Sequence, residues 1–146
     1  MRYIPAILLL SLLFTISCSD IVEPQKTDDT ICYYVYDGDS YACIDNGDSI
    51  KVRHLYIDCY ETHYGWRLTK QAKRNSITVD SAIKLGRKAK EFVKKLIEGK
   101  RIVLVRDRKE DDTDVYGRYL RIVMYNGKRL DSLLLGKGLA FKYKPF

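Results

Sequence analysis

From Ile31 onward, short runs of apolar and aromatic positions alternate with clusters of glycine, asparagine and aspartate. Ile31 to Tyr36 is aromatic and β-branched, which favours a strand. Asp37-Gly38-Asp39-Ser40 is a turn signal, and Tyr41 to Ile44 carries the returning strand. Asp45-Asn46-Gly47-Asp48 turns the chain again, and Ser49 to Ile57 reads as a third strand. Residues 62–79 break this rhythm: they are basic with embedded aromatics, and Arg67, Lys70, Lys73 and Arg74 recur at spacings of three and four, which puts them on one face of a helix. A clearer helix follows, with Asp80 or Ser81 placed to cap it. Its apolar stripe is Leu85, Ala89, Phe92, Val93, Leu96 and Ile97, Gly99 ends it, and Arg87 to Lys95 supplies a solvated face. Arg101 to Arg106 is a strand, Asp107 to Asp114 a charged loop, and Tyr119 to Tyr125 a strand turned by Asn126-Gly127. Asp131 is placed to cap a short helix that Gly138 closes.

Five strands with a helix between the third and fourth predict an α+β, mainly β fold: a five-stranded Greek-key barrel of the OB type with two to three helices. The N-terminus lies outside this pattern. Met1-Arg2-Tyr3 followed by apolar Ile4 to Ile16 is too short for an ordinary spanning helix and suits a signal peptide. Ser17-Cys18 at its end resembles a lipobox, with Cys18 as the lipidated residue. The division is therefore a lipoprotein-type signal peptide over 1–17, a polar tether over 18–30, and one domain over 31–146. Export to the cell envelope, as a lipoprotein or in secreted form, is the expected location. Membrane contact is expected through the lipid anchor alone.

Charge sharpens the picture. The 26 basic and 19 acidic residues give +7. Only Arg2 is charged within 1–17, so the basic character belongs to the domain and suggests an anionic partner. Export permits disulfides. Cys32 and Cys43 flank the first hairpin on one parity, which allows either a diagonal bridge or two small buried residues. Beside Cys18 only one further cysteine remains, Cys59, so at least one thiol stays unpaired.

The candidate chemistry lies in three clusters: Asp37 to Asp39, Arg53 to Glu61, and Asp114 to Arg118. Asp39, Asp58 and Glu61 are hard oxygen ligands, and no Cys/His spacing suits zinc. A metal held by such oxygens is Ca²⁺ first and Mg²⁺ second. Arg53 and Arg118 can each grip two phosphate oxygens, and Arg53 sits in an otherwise apolar strand, where an unpaired charge is costly. Arg53 and Asp58 are five apart, so on a regular strand they face opposite ways. Their convergence requires the strand to end and bend before Asp58.

These motifs occur in the order and spacing of the staphylococcal nuclease, or thermonuclease, family, which the chain resembles from about Tyr34 to Pro145. The matching segments are Asp37 to Ser40, Arg53 to Thr62, Tyr116 to Arg118, Gly86 to Gly99, Asn126 to Lys128, Gly138 to Ala140 and Tyr143 to Pro145. The resemblance implies an OB-type barrel that hydrolyses DNA and RNA with Ca²⁺ and leaves 3′-phosphate ends. It implies Asp39, Asp58 and the backbone carbonyl of Cys59 as metal ligands, with Glu61 orienting or deprotonating the attacking water and reaching the metal through water. Arg53 and Arg118 would clamp the phosphate, Tyr116 and Tyr143 would pack near the nucleotide, and Asp37 would support the site from behind. Cys59 and Tyr60 replace a threonine and a proline, Val115 a lysine, and Phe141 a tyrosine. The longer segment after Glu61 adds Arg67, Lys70, Lys73 and Arg74 as phosphate-backbone contacts, with Trp66 or Tyr64 to stack on bases. The leading reading is thus a monomeric nuclease acting on nucleic acid with no protein partner implied. The alternatives are a non-catalytic OB-fold nucleic-acid-binding module and an envelope interaction lipoprotein.

Overall fold

Strands form where aromatic and β-branched residues cluster, and five of them close on themselves. The computed structural model describes residues 26–143. The signal segment, Cys18, the tether as far as residue 25 and residues 144–146 lie outside the described residues. The elements are β1 (Lys26–Val35), β2 (Ser40–Asp45), β3 (Asp48–His54), β4 (Ile57–Asp58), α1 (Trp66–Arg74), α2 (Val79–Ile97), β5 (Lys100–Val105), β6 (Tyr119–Tyr125), β7 (Lys128–Arg129), α3 (Leu130–Gly136) and β8 (Phe141–Lys142). In the main sheet β1 pairs β2, β2 pairs β3, β1 pairs β5 and β5 pairs β6, all antiparallel. A parallel pairing of β3 with β6 closes the ring. The fold is a closed five-stranded mixed barrel of the OB type with three helices, as the strand and helix order predicts.

Two strand boundaries differ from the sequence reading. The first strand starts at Lys26, inside the segment read as tether, because ladder hydrogen bonds come from the backbone and need no apolar side chain. Register shifts in β1 against both neighbours bend it, as a closing barrel requires. The third strand stops at His54 rather than at Ile57. Leu55 and Tyr56 form a turn in which Tyr56 adopts a φ of 66°, and Ile57–Asp58 leaves to pair with β8. The apolar run hid this break, since Leu55 and Ile57 are buried on both sides of it.

Helix ends also differ in detail. Thr78 caps α2, its hydroxyl accepting the Ser81 N–H at 3.1 Å, so neither Asp80 nor Ser81 is the cap. Asp131 lies inside α3 rather than at its cap, accepting the Ser132 N–H at 2.8 Å and pairing with Arg129. The barrel interior packs Val35, Tyr41, Val52, Ile102, Leu104 and Val123 against Ala89, Val93 and Ile97 of α2. A second small core lies under α1, where Leu68 and Ala72 meet Tyr60, Ala82 and Ile83. Cys32 and Cys43 stand directly opposite each other across β1 and β2, not diagonally, and these thiols and that of Cys59 are buried and free. No helix among the described residues is long and apolar enough to cross a membrane.

Candidate active site

The turn at Leu55–Tyr56 makes the site. By reversing the chain it swings Asp58 back toward Arg53, whose Nη2 donates to Asp58 Oδ1 at 2.7 Å and to the Ile57 carbonyl at 3.3 Å. Arg53 lies between β2 and β6, opposite Ser40 on one side and Leu120 on the other. Its Nη1 pairs with Asp39 Oδ1. A single buried guanidinium thus bridges the carboxylates that leave the first hairpin and the third strand. Asp39 Oδ2 accepts the Cys59 N–H at 2.6 Å, which ties the hairpin to the 58–61 turn. Gly38 permits this approach: a Cβ there would meet Cys59 Sγ at 2.6 Å and the Ala89 side chain at 2.8 Å.

Electrostatics follow from burial opposed by pairing. Burial pushes Asp39 up, but Arg53, Asp37 and the Cys59 N–H outweigh it and hold the carboxyl below its usual range. Asp37 behind it is pushed up to about 8 by burial and the neighbouring Asp39 carboxylate. Burial works against the Arg53 charge, while Asp39 and Asp58 more than compensate and keep it protonated. Burial raises Glu61, with Arg67 acting in the other direction. His54 is fully buried and neutral, lowered to about 4 by desolvation; its Nδ1 meets the Leu55 carbonyl at 2.9 Å and its Nε2 the Val123 N–H at 3.4 Å.

The 58–61 turn is gripped from helices α1 and α2. On α1, Gln71 bonds to Asp58, to the Cys59 carbonyl and to the Glu61 N–H. On α2, Gly86 lets the helix rest against the turn: a Cβ would lie 2.3 Å from the Tyr60 carbonyl oxygen and 2.5 Å from that of Glu61. Tyr60 is buried and packs on Phe141 with centroids 5.0 Å apart, which fixes the turn by packing.

Arg118 enters β6 from a turn organised by Asp114, whose carboxylate accepts the Tyr116 N–H, the Arg118 N–H and Arg118 Nε at 3.0, 2.9 and 2.7 Å. Arg118 Nη1 also reaches Ser40 Oγ at 3.2 Å, one hydroxyl from Asp39. Of the expected set, Arg53, Asp58 and Arg118 line one cleft, whereas Asp39 and Glu61 are not among its lining residues. Arg53, Asp58, Arg67, Lys70, Gln71, Arg74, Tyr116, Arg118 and Tyr143 all line one cleft of about 560 Å³, a size typical of ligand sites. Trp66 at 76 % exposure and Tyr116 at 78 % stand on its lips, with Val115 beside them.

The basic helix α1 departs from its reading in two respects. Arg67 bonds Asp58 at 3.3 Å and Glu61 at 2.7 Å, and Arg74 reaches Asp58 at 3.5 Å, so both face the site's acids. Arg74 also lies over Phe141 at 4.7 Å and Tyr143 at 6.0 Å. Lys73 is exposed and does not line the cleft; at about 100° per residue it falls roughly 120° round the helix from Arg67. Tyr64 is held by Asp80 at 3.0 Å, which leaves Trp66, 6.0 Å from Lys70 Nζ, as the one of these two aromatics that lines the cleft. The sequence reading missed Gln71, and it placed Asp114 in the third cluster without giving it a role. Gln71 had a signal, since it sits between Leu68 and Ala72 on the buried stripe of α1. Asp114 had one in its position four residues before Arg118.

Among the described residues no three His, Cys, Asp or Glu side chains form a ready metal cage. The donor chemistry nonetheless fits a hard divalent cation. The carboxylates of Asp39 and Asp58 and the Cys59 carbonyl are hard oxygens, gathered here by the Arg53 guanidinium and the neutral Gln71 amide.

A closed mixed barrel with buried acids and arginines beside one cleft defines an OB-type fold with a basic cleft. The staphylococcal nuclease homologue family matches residues 51–146, and the chain belongs to that family. The match begins after Asp37 to Asp39, which the structure joins to Asp58 and Cys59. The chain is also 32 % identical over 95 residues to an uncharacterized protein of Methanocaldococcus jannaschii, across 63 % of this chain and 46 % of that protein. It thus spans about half the length of that curated relative.

Proposed function

We propose that this protein is a metal-dependent endonuclease that hydrolyses phosphodiester bonds in DNA and RNA to 3′-phosphate products. The observation that supports this reading best is the buried Arg53 guanidinium joining Asp39 to Asp58, in a cleft that Arg118 also lines. In this reading Asp39, Asp58 and the Cys59 carbonyl hold Ca²⁺, with Glu61 in contact through water and Mg²⁺ as the weaker substitute. The ion, when bound, neutralises charge on the phosphate and polarises it toward attack. Arg53 and Arg118 grip the phosphate oxygens as charge builds, and Glu61 receives the proton of the attacking water. Arg67 and Arg74 pair with Asp58 through side chains 45 % and 48 % exposed. Their guanidinium ends are open to solvent although Asp58 is not, so an arriving phosphate can compete with Asp58 for these arginines. Arg53, 8 % exposed at its side chain, stays in place.

The protein is further proposed to act as an exported monomer, held at the cell envelope through a lipid on Cys18. A second reading, a binding module that does not cut, draws support from the oxygens of Asp58, which already accept from Arg53, Arg67, Gln71 and Arg74. Digestion of plasmid DNA and of RNA with Ca²⁺, with Mg²⁺ and with chelator separates the two. Cleavage that disappears with chelator and falls at least about 100-fold in Glu61→Ala, Arg53→Ala or Arg118→Ala supports the nuclease. Normal turnover in Glu61→Ala rules out this site assignment, and tight binding without cleavage favours the module.

A further inference from the structure

We propose that Gln71 is a positioning residue of the catalytic turn, holding Asp58, Cys59 and Glu61 as one unit through its side-chain amide. The inference rests on the nuclease reading for what that turn does, but not for how it is held. A glutamine amide has one acceptor end and one donor end with two hydrogens, and Gln71 uses both. Oε1 accepts the Glu61 N–H at 3.0 Å, while Nε2 donates to Asp58 Oδ2 at 3.0 Å and to the Cys59 carbonyl at 2.9 Å. The side chain is 4 % exposed, so losing any partner would leave a buried polar group unpaired. Its orientation is determined by the partners: reversing the amide would set oxygen against two oxygens and NH₂ against an N–H.

This set of partners goes beyond filling a polar hole. The two oxygens on Nε2 are those proposed to face the cation, and the N–H on Oε1 belongs to the proposed base. The Cys59 carbonyl keeps a second lone pair, and the second acceptor site of Asp58 Oδ2 is shared only with half-exposed Arg74 at 3.5 Å, so the contact aims the donors without consuming them. The turn lacks a proline at Tyr60, and Gln71 supplies the missing constraint from outside the turn. It reaches across from α1, which is anchored by Leu68 and Ala72 in the small core beneath it. An insertion after Glu61 thereby becomes part of the site rather than an ornament on it.

The test uses Gln71→Met, which keeps length and volume but removes the amide, and Asn75→Ala as a control on the same helix, where Asn75 caps the Gln71 carbonyl at 2.9 Å. For each protein, kcat and KM on a single-stranded oligonucleotide with Ca²⁺, Ca²⁺ affinity by calorimetry, and hydrogen exchange of the Glu61 amide are measured. In Gln71→Met, kcat and Ca²⁺ affinity fall about 10–100-fold, as for loss of a residue that orients metal ligands, with KM within about threefold. The Glu61 amide exchanges at least about tenfold faster, while Asn75→Ala lowers Tm and leaves the other readouts unchanged. Wild-type kcat, Ca²⁺ affinity and exchange in folded Gln71→Met overturn the proposal, as does an equal loss in Asn75→Ala. If Gln71→Met does not fold, rapid exchange of the Glu61 amide in the wild-type protein overturns it and slow exchange upholds it. If the wild-type protein cuts nothing, the nuclease reading fails, and the exchange rates still decide whether Gln71 holds the turn.

Discussion

Asp58 carries a large share of the site's electrostatics, accepting from three arginines and one amide. Its removal differs in kind from removal of Glu61. Asp58→Ala strips one of two carboxylates from a buried guanidinium, and breaking such a pair costs about 3–5 kcal/mol. Denaturant unfolding is expected to show that loss, whereas Glu61→Ala, with a side chain 32 % exposed, changes stability by less than about 1 kcal/mol and loses activity alone. His54 makes a separate prediction about pH. Its folded pKa of about 4 lies below the ordinary 6.5, so between these values the unfolded chain binds a proton that the folded chain does not. Stability is therefore complete above about pH 6.5 and declines as pH falls toward 4, by a total on the order of 3 kcal/mol. Thermal melts of wild type and a folded His54→Gln variant check this, since the slope over that window should flatten in the variant. Arg53 was legible as a functional residue because a charge in an apolar strand demands a partner. Gln71 was not, because a glutamine on a helix reads as surface until its neighbours Leu68 and Ala72 are known to be buried.

At the scale of elements, two helices shape the turn that carries Asp58 and Glu61. Gly86→Ala puts a methyl group into the carbonyls of Tyr60 and Glu61, and backbone cannot rotate away as a side chain would. The expected cost is at least about 1–3 kcal/mol, read by Tm, together with a lower kcat because Glu61 is displaced. Helix α1 makes a graded prediction. Trp66→Ala weakens binding to single-stranded oligonucleotides by about 1–3 kcal/mol without moving Tm, given its exposure. Lys70→Ala reduces the salt dependence of that binding, while Lys73→Ala, directed away from the cleft, leaves it unchanged; titration at several salt concentrations distinguishes them. The strands, the long helix and the Asn-Gly hairpins were legible because each has a local cause. The break at Leu55–Tyr56 was not, since the buried run continues through it, and Tyr56 enters the left-handed region under the pull of β3–β6 and β4–β8 pairing. The early start of β1 was hidden for a related reason: its polar residues are recruited by β5.

At the scale of the whole molecule, the chain carries a basic surplus of +7, and the cleft acids Asp58 and Asp114 are already paired with arginines. Substrate attraction should therefore fall steeply with ionic strength. Chelation is expected to abolish cleavage while leaving the barrel folded, which far-ultraviolet dichroism checks. The barrel closes only where Val52 to His54 of β3 meet Tyr119 to Arg121 of β6, segments far apart in the chain. Pairings of such separation form against a loop-closure penalty and tend to come late in folding. Arg53 belongs to one side of that seam, and Arg118 directly precedes the other. A refolding chain is therefore expected to regain its hairpins and α2 before it regains any capacity to grip a phosphate, and activity should return with the slowest phase of barrel closure.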